Sequence, residues 1–279
     1  MPKCKYCKSK STIGWGYRYN KSGKKHRWKC KDCNRTFVID DGFLCRKYPK
    51  KIIVKAIDLY HSGLSFNGVS NYIYRNHGFE PANSTIWRWA KDYAWVVKKV
   101  DKEFKFKPSN MYADEIVLKI LGVTHWFWST FDEKSRFCIS NIFSMVRNEN
   151  SKVLFKMAKE KMLGYPKKVF TDGLWVYLDA FNKYFLYKSK YVRASSFKEK
   201  SILNLMERFN GTIKDRHKVK RGLKDLAASW SIQVGFILHY NYVRNHLSLG
   251  MTPAEAAGFS INLGRNKWLG LIRLAARLS

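Results

Sequence analysis

The sequence predicts an α/β fold in which a mixed sheet with flanking helices follows two small N-terminal modules. Three observations support this prediction. Apolar side chains after residue 110 alternate in three successive segments and then recur at helical spacing between further short strands. Four closely spaced cysteines lie near the start of the chain, and three short helical patterns follow them. A meander of strands followed by alternating helices and strands is the order expected of a mixed α/β sheet.

Composition narrows the function classes. The chain has 279 residues, of which 46% are hydrophobic and 16% aromatic, so it can bury a core. With 53 Lys and Arg against 21 Asp and Glu, the formal net charge of +32 strongly favours a polyanionic partner such as nucleic acid. The sequence shows no signal-peptide pattern and no apolar run near the roughly 18 residues of a membrane span. These features predict a cytoplasmic, nucleoid-associated protein with no membrane partner.

Residues 1–45 are predicted to form a zinc ribbon. Cys4 and Cys7 make one CxxC pair, and Cys30 and Cys33 make another. Each pair presents two thiolates on one side of a tight turn, and two pairs complete the tetrahedron that Zn²⁺ prefers. The segment is also strongly basic, which suits a module that contacts phosphates. The alternative is a structural ribbon that only docks on the rest of the chain.

Residues 46–100 are predicted to form a helix-turn-helix domain. Apolar stripes indicate three short helices, and His61-Ser62-Gly63 ends the first of them. In a helix-turn-helix the last helix enters the major groove, so its outward side chains are the candidate DNA contacts. These are Thr85, Trp87, Arg88 and Lys91. A plain three-helix bundle produces the same stripes and is the alternative. Residues 101–110 are charged and contain Pro108, which predicts a linker.

Residues 111–258 are predicted to form the main domain, with a helical tail at 259–279. Three strands make an antiparallel meander, after which helices alternate with strands expected to lie parallel in the same sheet. The predicted strands are 111–120, 124–131, 136–145, 167–171 and 185–194. The predicted helices are 148–163, 175–184 and a largely helical region from residue 198.

Three acidic residues in this domain are positioned to share metal ions. Asp114 lies on an apolar face of its strand, where an isolated charged carboxylate would be costly. Asp172 follows a buried strand, at the edge where α/β sheets place ligand groups, and Glu207 lies on a helix that can cross this edge. Three carboxylates would hold two hard cations such as Mg²⁺ or Mn²⁺, which also bind phosphate oxygens.

Other acids fit this site less well. Glu115 should face away from Asp114 because side chains alternate along a strand. Turn chemistry already explains Asp132, and Asp179 is expected to be solvated.

The helix that carries Glu207 has a face suited to a nucleic-acid backbone. Helical spacing brings Asn204, Glu207, Gly211 and Lys214 to one side. Glycine inside a helix costs about 1 kcal/mol relative to alanine, so Gly211 makes sense if a bulky partner approaches there. The alternative is a turn at Asn210-Gly211 that splits two short elements. The apolar rhythm across this dipeptide favours a continuous helix.

At these residues the chain resembles the DDE transposases of prokaryotic insertion sequences, in the retroviral-integrase superfamily. The resemblance spans about residues 111–258, and the most similar group is the one named insertion sequence six. Glu115-Ile116 stands where many members continue Glu-Thr, whereas the acidic triad is intact. The matching motifs are Tyr112-Ala113-Asp114-Glu115, Phe170-Thr171-Asp172-Gly173, and Asn204-Leu205-Met206-Glu207 with Lys214 seven residues later.

The resemblance implies a ribonuclease H-like fold and two-metal phosphoryl transfer at Asp114, Asp172 and Glu207. It further implies cleavage at element ends and strand transfer, with neither a covalent protein–DNA intermediate nor a nucleotide cofactor. The implied partners are terminal inverted repeats and target DNA, bound by a homodimer or larger assembly. The implied phosphate contacts are Lys214, Arg216, Lys218, Lys220 and Arg221.

Two alternative functions stay open at this point. A catalytically silent DNA-binding regulator derived from a transposase would keep the N-terminal modules and the fold without the chemistry. A ribonuclease H-like nuclease acting on hybrids would share the metal ligands, but it gives no reason for two DNA-binding modules upstream.

Overall fold

Two sheets organise the part of the chain that the computed structural model describes. This part comprises residues 1–20, 23–44, 46–120, 122–147, 150–193, 200–219 and 226–278. The first sheet has three strands and the second has five. None of the helices in these ranges combines the length and the apolar composition needed to cross a membrane.

The N-terminal sheet is antiparallel and contains β1 (Thr12–Asn20), β2 (Gly23–Cys30) and β3 (Thr36–Val38) in that spatial order. Its own core is small, because its buried apolar cluster consists, among the described residues, of Cys4, Cys30 and Phe37. A segment of this size needs an additional source of stability, such as a metal ion, to remain folded.

Three helices follow the N-terminal sheet: α1 (Lys50–Ser62), α2 (Phe66–His77) and α3 (Asn83–Glu103). Ser65 begins α2, because its hydroxyl accepts a hydrogen bond from the Gly68 backbone N–H at 3.1 Å. The first residues of the predicted linker, 101–103, continue α3. The linker then packs on the main domain, since buried Phe106 forms a parallel bridge with Met162.

The central sheet has the strand order β6–β5–β4–β7–β8. Its strands are β4 (Met111–Ile120), β5 (Val123–Asp132), β6 (Cys138–Ser144), β7 (Lys168–Thr171) and β8 (Lys190–Arg193). The first three are antiparallel, and β7 and β8 lie parallel to β4. This arrangement confirms the predicted mixed sheet.

The last strand is shorter than predicted. The range 185–194 was expected to be extended, but β8 begins only at Lys190. Phe185 instead ends the preceding helix, because its backbone N–H donates to the Phe181 carbonyl, and the Lys188 N–H in turn donates to Phe185. Turns therefore occupy the first part of the predicted range, and residue 194 lies outside the described residues.

Helices cover both faces of the central sheet. They are α4 (Ser151–Lys161), α5 (Trp175–Tyr184), α6 (Lys200–Val219), α7 (Leu226–Tyr242), α8 (Pro253–Ala256) and α9 (Lys267–Leu278). On one face α4 and α5 bury Phe155 and Tyr177, and on the other α6 buries Met206, Phe209 and Ile213. Because α7 contributes to both buried clusters, it is apolar on all sides and lacks the stripe of a surface helix.

The N-terminal helices share the larger core of the main domain. Buried side chains of α1, α2 and α3 belong to the same apolar cluster as those of α4, α5, α7 and α9. This contact also includes a hydrogen bond, in which the indole N–H of Trp95 in α3 donates to the Ser231 hydroxyl of α7 at 2.8 Å. In the described residues, these helices are therefore packed against the main domain.

Candidate active site

Asp114 of β4 and Asp172, the residue that directly follows β7, are level with each other in the parallel part of the sheet. Met111 of β4 pairs with Val169 of β7, and Tyr112 pairs with Phe170. Two residues further along each strand, this register reaches Asp114 and Asp172. The sheet itself therefore brings the two predicted acids together at the carboxyl end of β7.

The turn after β7 fixes Asp172. One carboxylate oxygen accepts a hydrogen bond from the Leu174 backbone N–H at 3.0 Å. Gly173 has a φ of 93°, and a Cβ at this position would lie 2.2 Å from Nε of Arg193. Glycine is required here both by the backbone conformation and by the approach of the arginine side chain.

A third acid, Glu115, belongs to the same cluster. One carboxylate oxygen from each of Asp114, Glu115 and Asp172 lies within 4.8 Å of the others. Glu115 nevertheless has its own partners, since it accepts from Arg147 at 2.9 Å and 3.0 Å and from the Tyr177 hydroxyl at 2.6 Å. In the part of the chain described here, neither aspartate has a cation at salt-bridge distance.

The electrostatics of the cluster favour a counter-cation. Burial, together with the negative charges of Glu115 and then Asp172, raises the pKa of Asp114 to about 7. Burial also raises the pKa of Tyr177, and the adjacent Glu115 has the same effect. The Tyr177 hydroxyl therefore stays protonated and keeps donating to Glu115. The aspartate pair is left with uncompensated charge.

Asn210 of α6 contacts this cluster from one face of the sheet, whereas Tyr177 contacts it from the other face. Its amide nitrogen donates to a carboxylate oxygen of Asp114 at 2.6 Å. The carbonyl oxygen of Asn210 is buried and, among the described residues, has no hydrogen-bond partner. A hydrogen-bonding group or ion at the cluster would satisfy this oxygen.

These donors fit a hard divalent cation. The two aspartates offer carboxylate oxygens, and Asn210 offers a neutral carbonyl oxygen beside them. Magnesium and manganese prefer oxygen ligands of this kind. The divalent cation fits the aspartate pair better than Glu115, because the carboxylate oxygens of Glu115 are already hydrogen-bonded to Arg147 and Tyr177.

Glu207 lies apart from the acidic cluster in this structure. The helix α6 runs without a break through Asn210 and Gly211, which confirms the predicted continuous helix. Glu207 precedes Asn210 by one turn, but its side chain is exposed and its carboxylate is not among the oxygens that meet within 4.8 Å. Lys214 is also exposed, and helical spacing places it on the same side as Glu207.

The other predicted phosphate contacts are dispersed. Arg216 does not continue the line from Lys214, because its guanidinium lies over Gly63 at the end of α1 and 5.5 Å from the Phe236 ring centre. Lys218 is part of α6, and Lys220 and Arg221 lie outside the described residues.

The four predicted zinc ligands converge. The sulfurs of Cys4 and Cys33 are 3.6 Å apart and those of Cys7 and Cys30 are 3.5 Å apart, and all four lie within 4.8 Å of one another. Four thiolates on a tetrahedral Zn²⁺ are expected about 3.8 Å apart, given a Zn–S distance near 2.3 Å. The sulfur spacing therefore fits a zinc ion.

The predicted DNA contacts of α3 lie near its N-terminal end. Arg88 is exposed, and its Nε donates to the Ser84 carbonyl at 3.4 Å. Trp87 is half-buried against the core, and the Lys91 ammonium lies 4.8 Å from its ring centre. Thr85 is half-buried in the first turn of the helix. The structure thus leaves basic and aromatic groups at this end of α3.

Sequence reasoning missed Asn210 and the partners of Glu115. A signal for Asn210 was present, because it falls at a buried position of the apolar stripe of α6, where an amide needs a polar partner. No local pattern pointed to Arg147 or Tyr177, because each reaches Glu115 from a different element of the fold.

Comparison with known proteins places this geometry in a family. Residues 109–246 match a family model described as a DDE domain, of the IS240 type. Two curated relatives from Staphylococcus aureus, the transposases of IS257 in transposon Tn4003 and of IS431mec from strain Mu50, are each 26% identical over 132 residues. The match covers 47% of this chain and 58% of each relative, so the chain spans less than two thirds of their length.

Two solved structures are also similar in part. The HTLV-2 integrase catalytic core domain in complex with magnesium is 17% identical, with a TM-score of 0.43 over 55% of this chain and 99% of that one. A simian T-cell lymphotropic virus intasome chain is 13% identical, with a TM-score of 0.43 over 55% of this chain and 56% of that one. Residues 109–246, which carry Asp114, Asp172 and Glu207, therefore form a DDE domain like that of insertion-sequence transposases.

Proposed function

We propose that this protein is a DNA transposase that cuts at the ends of an element and transfers the cut strand to target DNA. The observation that carries the proposal is the pairing of Asp114 and Asp172 at one sheet edge within the matched DDE domain. The intact aspartate pair makes a regulator without chemistry the weaker alternative.

A ribonuclease H-like fold is part of this proposal. Three antiparallel strands continued by two parallel strands, with helices on both faces, support it. The parallel register of β4 and β7 supports the proposed chemistry, because it aligns Asp114 with Asp172, the residue that follows β7.

The catalytic acids are Asp114, Asp172 and Glu207, which together would hold Mg²⁺ or Mn²⁺. When bound, the metal ions supply the positive charge that activates the attacking hydroxyl and stabilises the departing phosphate oxygen. Asn210 holds the Asp114 carboxylate in place through its amide N–H. Glu207 begins the turn of α6 that ends at Asn210, which supports its assignment as the third acid.

Residues around the aspartate pair support the proposed binding of a metal cation and of a DNA phosphate. Arg147 and Tyr177 donate hydrogen bonds to both carboxylate oxygens of Glu115, which leaves Asp114 and Asp172 as the sheet acids proposed to bind the cation. Lys214 projects from the exposed side of α6 and would bind a backbone phosphate near the scissile bond. No residue of the site is proposed to bind a nucleotide cofactor or to form a covalent bond to DNA.

The N-terminal modules would position the element end. We assign Zn²⁺ to Cys4, Cys7, Cys30 and Cys33, with a structural role in a basic ribbon. We assign the first three helices as a helix-turn-helix in which the α3 residues named above contact DNA. Joining two element ends requires two active sites, so a homodimer or larger assembly is expected on DNA.

Strand transfer by the purified full-length chain tests the proposed function. A labelled, pre-cut element end and a supercoiled target plasmid should give joined products in Mg²⁺ and none without a divalent ion. Asp172→Ala should abolish the products, whereas Asp179→Ala, at an exposed acid of α5, should leave them unchanged. Joining by Asp172→Ala at the parental rate would show that this site does not perform the reaction.

A further inference from the structure

Two adjoining cavities form a basic groove at a distance from the acidic cluster. Their volumes are about 640 Å³ and 490 Å³, and both are lined by Ser62, His239 and Arg244. The walls come from the end of α1, the second half of α6, the end of α7 and the start of α9. None of these elements except α6 contributes to the acidic cluster.

The charged groups of this groove are mainly cationic. They are Arg216, Arg244, Arg265 and Lys267 against Asp58 and Asp215. Lys267 is paired with Glu255 at 3.1 Å, and Asp58 lies 3.8 Å from His239. Among the described residues, none of the three arginines has a carboxylate at salt-bridge distance. The groove therefore keeps three guanidinium groups available for an external anion.

Arg216 lies between two packing partners and beside a second guanidinium. It is fixed between Gly63, where a Cβ would lie 2.4 Å from its Nη1, and the ring of Phe236. Burial lowers the pKa of Arg216, and the charge of Arg244 lowers it further, so the two guanidiniums repel each other. An anion between them would relieve this repulsion.

The imidazole group of His239 adds no positive charge to the groove at neutral pH. Burial, Arg216 and Arg244 lower the pKa of His239 to about 3, so its ring is neutral at pH 7. The Nδ1 of His239 also receives the Trp268 indole N–H at 3.2 Å. The anion affinity of the groove thus depends on its arginines.

The groove faces away from the proposed active-site surface of α6. Arg216 follows Glu207 by nine residues, which is about two and a half helical turns and places the two side chains on opposite flanks. Thr212 lines the groove with Arg216, whereas Gly211 and Lys214 lie on the side of Glu207. A straight DNA strand that contacts Glu207 and Lys214 would therefore not also enter the groove.

We propose that this groove binds the phosphodiester backbone of a second DNA segment, apart from the strand that is cut. Arg216 and Arg244 would each contact a backbone phosphate, and Arg265 extends the cationic wall. This inference rests on the proposed function for the presence of two DNA segments. The binding itself requires no catalytic residue.

The test is binding of a fluorescein-labelled DNA duplex to the full-length protein in buffer without added Mg²⁺, over a range of salt concentrations. The double variant Arg216→Gln/Arg244→Gln should bind about tenfold more weakly, and the slope of log K against log salt should become shallower by about 2. Lys156→Gln is the control for the loss of a positive charge elsewhere, and it matches the single variant Arg244→Gln in charge, because Lys156 is exposed on α4, across the sheet from α6. It should change neither quantity appreciably.

Further variants keep the result interpretable. If the double variant fails to fold, Arg244→Gln alone serves, since Arg244 is exposed, and its slope should fall by about 1. Arg244→Lys should restore most of the salt slope because the charge remains. Parental affinity and slope in a folded double variant would overturn the proposal.

Two outcomes separate this inference from its alternatives. If millimolar inorganic phosphate raises the melting temperature of the parent protein but not of the double variant, while both bind duplex equally, the groove is a free-anion site and the proposal is wrong. Loss of duplex binding in the double variant supports the groove even if Asp172→Ala retains strand transfer, which would refute only the proposed active site.

Discussion

The amide nitrogen of Asn210 donates to a carboxylate oxygen of Asp114 at 2.6 Å, which joins α6 to the central strand of the mixed sheet. The two residues are 96 positions apart in the sequence. The same Asn210 side chain has a buried carbonyl oxygen that lacks a partner among the described residues. One amide thus orients an acid and offers an additional oxygen at the candidate metal site.

Asn210→Ala should therefore slow strand transfer by roughly tenfold to a hundredfold and raise the Mg²⁺ concentration needed for half-maximal rate. The reason is that Asp114 loses its hydrogen bond from Asn210 of α6. Rates measured over a Mg²⁺ series separate this effect from simple misfolding. Asn182→Ala, at an exposed position of α5, is the matched control. A parental rate and Mg²⁺ dependence in Asn210→Ala would argue against the positioning role.

Asp114→Asn should stabilise the protein at neutral pH when no Mg²⁺ is added. The folded-state pKa of Asp114 is about 7, above the unfolded value near 3.9. The folded protein therefore binds more protons between these values, and its free energy of unfolding falls as pH rises through this window. Removing the charge should recover on the order of 2–4 kcal/mol above pH 7, and added Mg²⁺ should stabilise only the parent.

Urea denaturation at a series of pH values measures this effect. The control is Asp179→Asn, whose exposed ion pair with Lys152 should contribute less than about 1 kcal/mol at any pH. If Asp114→Asn loses stability at neutral pH or keeps the parental pH dependence, the charge of Asp114 is compensated in the folded protein.

Gly173→Ala should destabilise the turn after β7 by about 1–3 kcal/mol. The backbone φ of 93° disfavours alanine, and the added Cβ would collide with Arg193. Because Asp172 lies in the same turn, strand transfer should be lost together with stability. Thermal melting and joining assays on the same preparation check both effects. A variant with parental melting temperature would show that this turn adapts.

Gly211→Ala should change stability in the opposite direction to Gly173→Ala. Beyond its own stretch of helix, a Cβ at Gly211 would meet none of the described atoms within 4 Å. Alanine favours a helix interior by roughly 0.5–1 kcal/mol, so the free energy of unfolding should rise by that amount. If a DNA backbone approaches this gap, strand transfer should nevertheless fall, and Gly211→Leu should lower it further. Equal strand transfer by the parent protein, Gly211→Ala and Gly211→Leu would show that no DNA contact requires a glycine at this position.

Cys33→Ser should release the zinc ion proposed for the N-terminal ribbon. Metal content measured by mass spectrometry should fall from about one zinc per chain to near zero. The small sheet should then unfold, because its remaining buried cluster contains few apolar residues. Cys138→Ala is the control, since Cys138 is buried in the main domain and should leave the zinc content unchanged. Retention of zinc by Cys33→Ser would contradict the four-thiolate assignment.

The order and type of most elements follow from local sequence. Alternation predicted β4 and β5 to within one residue at each end, and apolar spacing predicted α5 over its full length. The two CxxC pairs correctly predicted that four sulfurs meet. Such features depend on neighbours in the chain, so their physical causes can be read from residue type and period.

Tertiary structure decided what surrounds each acid. The pattern identified Asp114 and Asp172, but only the register of β4 against β7 places them level with each other. It took the packing of α6 on the sheet to bring Asn210 rather than Glu207 into contact with Asp114. Hydrogen-bond partners of this kind come from distant elements, and their distances depend on how helices and strands pack, which no local period encodes.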